Sequence, residues 1–302
     1  MIKFRAWLNA ARLRTLPLSL SGILVGTALA NIYGYNDLHI FILALLTTVA
    51  FQVTSNFAND YGDGVKGTDN EDRIGPKRAY QSGQLSQSEL KTGIRISVVI
   101  DLFLVFLLLY FAFHEEHLKY VVLFVILGIA SIWAAIKYTV GSNAYGYKGF
   151  GDLFVFSFFG LLSVLGSMFL FTKFLTSIAV LPAAAIGFLS TAVLNLNNLR
   201  DIESDKKANK NTIIVKIGLS KGKVYHYTLI VLAFISMLIF VGNHYYSWKS
   251  GICMIAFVPL FIHLRSVKKI ENPRNFDPEL KKVALSTFLL GFLFYIGYNY
   301  FL

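Results

Sequence analysis

Apolar residues along the chain are gathered into nine long runs separated by polar segments. Most of these runs approach the roughly 20 residues that an α-helix needs to cross the hydrocarbon core of a bilayer. The runs cover, approximately, residues 15–34, 38–58, 94–113, 120–136, 153–171, 175–199, 225–241, 251–264 and 283–302. The pattern predicts an all-α, polytopic membrane protein, with about nine transmembrane helices in one bundle that forms a single domain over residues 1–302.

The composition supports this prediction. Hydrophobic residues make up 55% of the chain, charged residues make up 15%, and the mean hydropathy is +0.58, which excludes an ordinary water-soluble domain. The formal net charge of +11 is divided among short loops and does not form one basic stripe, so a lipid bilayer is the expected partner and nucleic acid is not. The single cysteine, Cys253, excludes an internal disulfide.

Lysine and arginine residues fall almost entirely in alternate loops. If the N-terminus is cytoplasmic, 25 of the 28 lie on the cytoplasmic side, and only Lys119, Lys173 and Lys249 lie outside. Because cytoplasmic loops hold an excess of positive side chains, this distribution predicts a cytoplasmic N-terminus. The alternation would fail if one span had been missed or added, so it also supports the number of spans.

Two of the predicted cytoplasmic loops begin with acidic and amide residues. The first cluster consists of Asn56, Asn59, Asp60 and Asp63, and the second consists of Asn197, Asn198, Asp201 and Asp205. Four spans separate the clusters, so both have the same orientation in the membrane and are able to face each other across the bundle. This arrangement suggests pseudo-repeat halves at about residues 1–139 and 150–265, followed by a final helix at 283–302.

The spacing of the acidic residues indicates a metal site. On a helix continuing from the second run, Asn56, Asp60 and Asp63 share a face, and the second cluster repeats this spacing. Carboxylates stacked near a low-dielectric region repel each other unless a counter-ion is present. Mg²⁺ prefers oxygen ligands and is usually bound by one or two carboxylates plus substrate phosphates. The clusters therefore predict Mg²⁺ on a diphosphate, with helix capping and loop solvation as the alternative.

Polar residues near the clusters are candidates for substrate contacts. Cations such as Arg78 and Lys210 are able to bind a diphosphate and to offset the charge of a leaving group. Each of these cations is explained equally well by the general excess of lysine and arginine in cytoplasmic loops. The predicted substrate-binding residues are Asn56, Arg73, Lys77, Arg78, Lys137, Tyr138, Asp152, Asn197, Asn198 and Lys210.

Together these residues resemble the UbiA-type intramembrane prenyltransferases, and within them the branch that prenylates 1,4-dihydroxy-2-naphthoate in menaquinone biosynthesis. The resemblance covers nearly the whole chain. It rests on Arg14-Thr15-Leu16-Pro17-Leu18, Asn59-Asp60-Tyr61-Gly62-Asp63, Asp72-Arg73-Ile74-Gly75-Pro76, Lys137-Tyr138-Thr139, Tyr145-Gly146-Tyr147, Gly151-Asp152-Leu153, and Asn197-Asn198-Leu199-Arg200-Asp201 through Asp205 and Lys210.

The resemblance implies specific roles. The implied Mg²⁺ ligands are Asn59, Asp63, Asp69, Asp201 and Asp205, and the implied catalytic residues are Asp60, Asp63, Asp201 and Asp205. The wider family has a third carboxylate where this chain has Gly67, and Asp60 or Asp69 is expected to substitute for it.

The resemblance also implies a reaction. A polyprenyl group would pass from its diphosphate to dihydroxynaphthoate with loss of CO₂, giving a demethylmenaquinone at the bacterial cytoplasmic (inner) membrane. Two alternatives stay open, namely another aromatic acceptor such as 4-hydroxybenzoate, or a membrane transporter.

Overall fold

A computed structural model describes residues 2–68, 74–113 and 117–299, and this part of the chain is built from helices without strands. The helices in chain order are α1 Ile2–Ala11, α2 Leu16–Ile32, α3 Leu38–Val65, α4 Gln87–Ala112, α5 Leu118–Lys137, α6 Gly151–Thr172, α7 Val180–Arg200, α8 Ile202–Lys207, α9 Ile213–Asn243, α10 Phe257–Lys269 and α11 Asp277–Asn299. Short 3₁₀ segments lie between them at Leu13–Thr15, Tyr145–Lys148, Ser177–Ala179, Trp248–Ala256 and Pro273–Phe276. The middle of α6, Phe156–Gly166, is π-helical.

Nine segments of the described chain are long and apolar enough to cross a membrane, and they coincide with the nine predicted runs. The first span combines α1 and α2. The eighth and ninth spans each begin with a 3₁₀ segment, Trp248–Ala256 before α10 and Pro273–Phe276 before α11. The all-α, multi-pass membrane architecture predicted from the sequence is therefore confirmed.

Helix α3 continues past residue 58, where its apolar run ends. The N-terminus of α3 is capped by Asp37, whose Oδ1 accepts hydrogen bonds from the backbone N–H groups of His39 (2.8 Å) and Ile40 (3.1 Å). The helix then runs to Val65, so the first acidic cluster lies on its last turns. The helix expected to carry these residues is thus present, although Asp60 and Asp63 contact different groups.

Helix α7 lies at the centre of the bundle, packed between α2, α6, α9 and α11. Its crossing with α6 depends on two glycines, because a Cβ added at Gly160 would lie 2.4 Å from the Cα of Gly187. Small residues let helix backbones approach closely in membranes, where there is little hydrophobic driving force between helices. This crossing fixes α6 against the helix that leads into the second acidic cluster.

Replacing Gly187 with Leu should lower stability by about 3 kcal/mol, because a side chain here must displace packed atoms. A Cβ alone would lie 2.7 Å from the ring of Phe156. Thermal unfolding in detergent measures the loss. Gly242→Leu is the matched control, since a Cβ at Gly242 meets nothing within 4 Å. Equal melting temperatures for the two variants would contradict this account of the crossing.

A buried hydrogen-bond chain connects α7 with three other helices, α9, α10 and α11. The ring Nδ1 of His226 lies 3.1 Å from Asn195 Oδ1, and its Nε2 lies 2.8 Å from Nε2 of His263. The other nitrogen of His263, Nδ1, is 2.5 Å from Glu279 Oε2. Because a neutral imidazole donates through one nitrogen only, this sequence of contacts requires a proton held between His263 and Glu279. The chain ties α9, α10 and α11 to the end of α7 that carries the second cluster.

Candidate active site

A cavity of about 440 Å³ lies between α2, α3, α4, α5, α6 and α7. One end is polar and is lined by Arg12, Asn59, Asp63, Arg78, Tyr138, Asn197 and Lys210. The rest of the wall consists mainly of apolar and aromatic side chains with some serines and threonines. The part of the wall formed by α3 extends from Asp63 to Ala44, about 28 Å at 1.5 Å per residue. The cavity therefore combines a charged end with a long apolar body.

Asp63 is the carboxylate of the first cluster that faces the cavity. Its Oδ2 accepts a hydrogen bond from Nη1 of Arg78 at 2.6 Å, and its Oδ1 accepts one from the hydroxyl of Tyr147 at 2.7 Å. Arg78 also donates to the backbone carbonyl of Asn59 at 2.7 Å. Since Asp63 and Arg78 are both largely buried, they form a desolvated ion pair at the polar end of the cavity.

Asp60 has a different environment from Asp63. Its Oδ2 accepts the backbone N–H of Ala79 (3.2 Å), and its Oδ1 accepts that of Tyr80 (3.3 Å). These contacts anchor the segment that carries Arg78, and Asp60 does not line the cavity. Asp60 therefore positions Arg78, and its predicted catalytic role stays a prediction.

The two asparagines of the first cluster hold neighbouring segments. Asn56 donates to the backbone carbonyl of Ala11 at 2.8 Å and so fixes the chain between α1 and α2. Asn59 lines the cavity, and its Oδ1 accepts a hydrogen bond from Thr139 Oγ1 at 3.1 Å. The end of α3 is thereby joined both to the N-terminal segment and to the segment after α5.

The end of α3 approaches Thr139 so closely that only glycine fits at residue 62. A Cβ at Gly62 would lie 2.5 Å from Thr139 Oγ1 and 2.8 Å from its carbonyl carbon. Gly62→Ala should therefore shift the helix end that carries Asp63 and lower turnover at this site by about tenfold or more, because small misplacements at a reacting site are costly. Gly242→Ala, in open space, is the control for the same assay. Unchanged turnover in Gly62→Ala would contradict the proposed importance of this contact.

In the second cluster, Asp201 lies at the junction where α7 ends and α8 begins. The backbone N–H of Asp201 donates to the carbonyl of Asn197 (3.0 Å), and that of Asp205 donates to the carbonyl of Asp201 (2.8 Å). The predicted helical spacing thus persists across the junction. Arg200 binds both oxygens of Asp201, at 2.8 and 2.6 Å, and reaches Asp277 of α11 at 2.6 Å.

Asp205 and Lys210 form a tight turn in the second loop. The backbone N–H of Lys210 donates to the carbonyl of Asp205 at 2.8 Å, and its Nζ lies 3.3 Å from Asp205 Oδ1. Burial raises the pKa of Asp205 to about 6, although the ammonium of Lys210 opposes the shift. Burial disfavours the charged form of Lys210, but the carboxylates of Asp205 and Asp63 outweigh this and raise the pKa of Lys210. Lys210 is therefore protonated and is influenced by both clusters.

Tyr147 connects the two clusters physically. Its hydroxyl binds Asp63 and also lies 2.5 Å from Thr68 Oγ1, while its backbone carbonyl accepts the N–H of Asn211 at 3.0 Å. The Nζ of Lys210 lies 5.7 Å from the centre of its ring. The acidic clusters of the two loops are thus neighbours at one end of the bundle.

The donor groups fit a hard divalent cation. Asp205 Oδ2 and Asn198 Oδ1 are buried and accept no hydrogen bond from the described residues, which is costly for a carboxylate. An oxygen-only set of Asp and Asn suits Mg²⁺. Within the described ranges no group of three or more His, Cys, Asp or Glu forms a metal site by itself. Oxygens of a substrate would have to complete the coordination, as is usual for Mg²⁺.

A model described as the UbiA prenyltransferase family matches residues 19–279. The chain belongs to this family. A 1,4-dihydroxy-2-naphthoate octaprenyltransferase from Haemophilus influenzae is 44% identical over 298 residues, which cover 98% of this chain and 96% of the relative. A protein of the same name from Escherichia coli is 42% identical over 293 residues, which cover 97% and 94%. The protein is therefore a prenyltransferase.

Solved structures of UbiA homologues share the fold at low sequence identity. An apo structure from Aeropyrum pernix has a TM-score of 0.67 at 13% identity, covering 91% of this chain and 97% of that one. A structure from Archaeoglobus fulgidus bound to GPP and Mg²⁺ has a TM-score of 0.62 at 15% identity, covering 96% and 99%. The helical bundle of this UbiA family member is thus one that other members share.

The resemblance led us to expect a third carboxylate at the position of Gly67 in this prenyltransferase, and the structure shows the local backbone there. Helix α3 ends at Val65, and Gly67 has a φ of +71°, in the left-handed region that favours glycine. A side chain at residue 67 would not continue the helical face of Asn59 and Asp63. Asp69, which was predicted to substitute, lies outside the described residues.

The other predicted residues of the prenyltransferase are divided between the cavity and its surroundings. Tyr138 and Asn197 line the cavity, and burial raises the pKa of Tyr138 to about 12, so that it stays a phenol. Asp152 does not line it and accepts a hydrogen bond from the hydroxyl of Tyr225 at 3.2 Å. Lys77 is exposed and Lys137 is half-buried, and neither reaches the cavity. Arg73 lies outside the described residues.

Three residues at the site were not predicted from the sequence. Arg12 lines the cavity and adopts a φ of +49° between α1 and α2. Tyr147 and Arg200 bind the two acidic clusters. Tyr147 and Arg200 belong to motifs that carry the family resemblance, so that signal was available, whereas Arg12 looked like one of many positive residues at the N-terminus.

Proposed function

We propose that this prenyltransferase transfers a polyprenyl group from polyprenyl diphosphate to 1,4-dihydroxy-2-naphthoate, releasing CO₂ and diphosphate and giving a demethylmenaquinol, the hydroquinone form of a demethylmenaquinone. The observation that carries the proposal is the cavity, with its charged end at Asp63, Arg78 and Lys210 and its long apolar body. The choice of acceptor is supported by the relatives of that name, which are similar from end to end.

The charged end would bind the diphosphate. Arg12, Arg78 and Lys210 line it, and their N–H groups are able to hold phosphate oxygens and stabilise the charge that develops on the leaving group. The residues that would hold Mg²⁺ are Asn59, Asp63, Asp201 and Asp205. When bound, Mg²⁺ neutralises the diphosphate and favours its departure, as a Lewis acid does in phosphoryl chemistry.

The apolar body would hold the prenyl chain. Its aromatic residues, among them Phe154, Phe158 and Phe159, exclude water and stabilise positive charge on the allylic carbon when the C–O bond to diphosphate breaks. The naphthoate ring carbon then forms a bond to that allylic carbon. The electron pair of the ring–carboxylate bond returns to the ring as CO₂ leaves, so the product keeps both hydroxyl groups as a hydroquinone and no oxidant is needed.

The site would face the cytoplasm. The loops at its end of the bundle belong to the face that carries 25 of the 28 lysine and arginine residues. Water-soluble Mg²⁺ and the polar ring of the acceptor would reach the charged end from this side, while the prenyl chain stays in the membrane.

Membranes from cells expressing the protein, incubated with radiolabelled prenyl diphosphate and Mg²⁺, test the proposal. With 1,4-dihydroxy-2-naphthoate we expect a labelled apolar product and one equivalent of CO₂. With 4-hydroxybenzoate we expect no product above membranes lacking the protein. Product from hydroxybenzoate alone would show that the acceptor has been assigned wrongly.

A further inference from the structure

Each carboxylate that would hold metal already has a cation from the protein beside it. The pairs are Asp63 with Arg78, Asp201 with Arg200 and Asp205 with Lys210. The two arginine pairs have N–O distances of 2.6 Å, whereas the Lys210–Asp205 pair has 3.3 Å. The charge of the clusters is therefore offset inside the protein, but one of the three pairs is looser than the others.

Asp205 is the carboxylate that is still able to accept a ligand. Its Oδ2 is buried and receives no hydrogen bond from the described chain, while its Oδ1 faces Lys210. By contrast, both oxygens of Asp201 and both of Asp63 accept hydrogen bonds. A cation that approaches Asp205 thus meets a free oxygen and, next to it, the positive charge of Lys210.

Lys210 is also the cation best able to move. Arginines form planar, bidentate contacts, whereas a lysine ammonium is a point charge on a flexible stem. Lys210 lines the cavity, and its Nζ lies 5.7 Å from the centre of the ring of Tyr147, the residue that joins the two clusters. A diphosphate bound at the charged end would offer the ammonium a new anionic partner.

We propose that Lys210 is an internal counter-ion that competes with the divalent cation for Asp205. Without substrate, its ammonium keeps the affinity of the site for divalent cations low. When the prenyl diphosphate binds, Lys210 transfers its contact to a phosphate oxygen, and Asp205 becomes available to the metal. Cation and diphosphate therefore bind with positive coupling, each raising the affinity for the other. The proposal rests on the proposed function, in which Asp205 is a metal ligand and a diphosphate is the substrate.

Binding of Mn²⁺ to the purified full-length protein in detergent, followed by electron paramagnetic resonance without acceptor or diphosphate, tests this competition. Lys210→Gln should bind Mn²⁺ about tenfold or more tightly than wild type, because a nearby positive charge has been removed from a buried site. Lys206→Gln is the matched control. Lys206 is adjacent to Asp205 in the chain but exposed, so the same change of charge should leave Mn²⁺ affinity at the wild-type value.

A second measurement adds an unreactive prenyl S-thiolodiphosphate. Wild type should then gain Mn²⁺ affinity strongly, and Lys210→Gln should gain much less, since its competitor is already absent. If Lys210→Gln fails to fold, Lys210→Met keeps most of the apolar stem and serves in its place.

Mn²⁺ affinity in the Lys210 variant equal to or weaker than wild type would overturn the proposal, and so would an equal gain in Lys206→Gln. These outcomes are separate from the failure of the proposed function, which would appear as wild-type protein that makes no prenylated product. Tighter Mn²⁺ binding in Lys210→Gln supports the competition whichever acceptor the enzyme uses.

Discussion

Asp63→Asn should lower the rate of prenyl transfer by about a hundredfold or more, while the protein still inserts and folds. Asparagine keeps the shape of the side chain but removes the negative charge that offsets Arg78 and that would hold the metal. The amide also places a donor group opposite Arg78 or the Tyr147 hydroxyl, which both donate to Asp63 in the native site. Labelled product per amount of folded protein measures the loss.

Asp60→Asn is the matched control for this variant. Asp60 lies one turn earlier on α3 and is equally buried, but its oxygens accept backbone N–H groups of the loop between α3 and α4. We expect it to lower the melting temperature and to reduce transfer by less than about tenfold, since one hydrogen bond is weakened. Turnover near the wild-type value in Asp63→Asn would contradict the assignment of Asp63 to the reacting site.

Removing divalent cations should abolish transfer. The carboxylates and amides of the two loops provide only oxygen donors, and two of these oxygens, Asp205 Oδ2 and Asn198 Oδ1, have no partner in the described chain. Without a divalent cation, the positive side chains alone must stabilise a departing diphosphate. We expect EDTA to reduce product to background and added Mg²⁺ to restore it.

The matching control is thermal unfolding in the presence of EDTA. Folding should be unaffected, because Arg78, Arg200 and Lys210 already offset the charge of the clusters. Transfer that persists in EDTA at the rate seen with Mg²⁺ would show that the acidic clusters do not hold a metal.

The spans were predictable because a helix that crosses a bilayer needs about 20 consecutive apolar residues, and such a run is visible in the local sequence. The continuation of α3 past its apolar run was predictable for a related reason, since the polar residues from Asn59 to Asp63 repeat at helical spacing. The orientation of the bundle and the two pseudo-repeat halves stay predictions.

The partners of the site residues were not predictable, because they depend on helix packing between distant parts of the sequence. Arg200 binds Asp277, which lies 77 residues away, and Tyr147 binds Asp63, 84 residues away. The different roles of Asp60 and Asp63 likewise depend on how the loop between α3 and α4 folds back onto the end of α3. Asp60 and Asp63 lie about one turn apart on α3, and the sequence alone does not distinguish them. Of the two, only Asp63 lines the cavity.

The contact between the two buried histidines was not predictable from the sequence either. His226 and His263 are 37 residues apart in sequence, with no spacing that suggests a shared site. The packing of α9 against α10 brings their rings within hydrogen-bond distance, so a buried polar chain arises from residues that look unrelated along the sequence.

We propose that both acidic loops bind one diphosphate through shared divalent cations. The most direct test is Mn²⁺ binding in the presence of an unreactive prenyl S-thiolodiphosphate, compared between wild type, Asp63→Asn from the first loop and Asp205→Asn from the second. We predict that each single variant loses most of the Mn²⁺ bound with the substrate analogue. Wild-type Mn²⁺ binding in either variant would contradict the claim, because that loop would then take no part in holding the diphosphate.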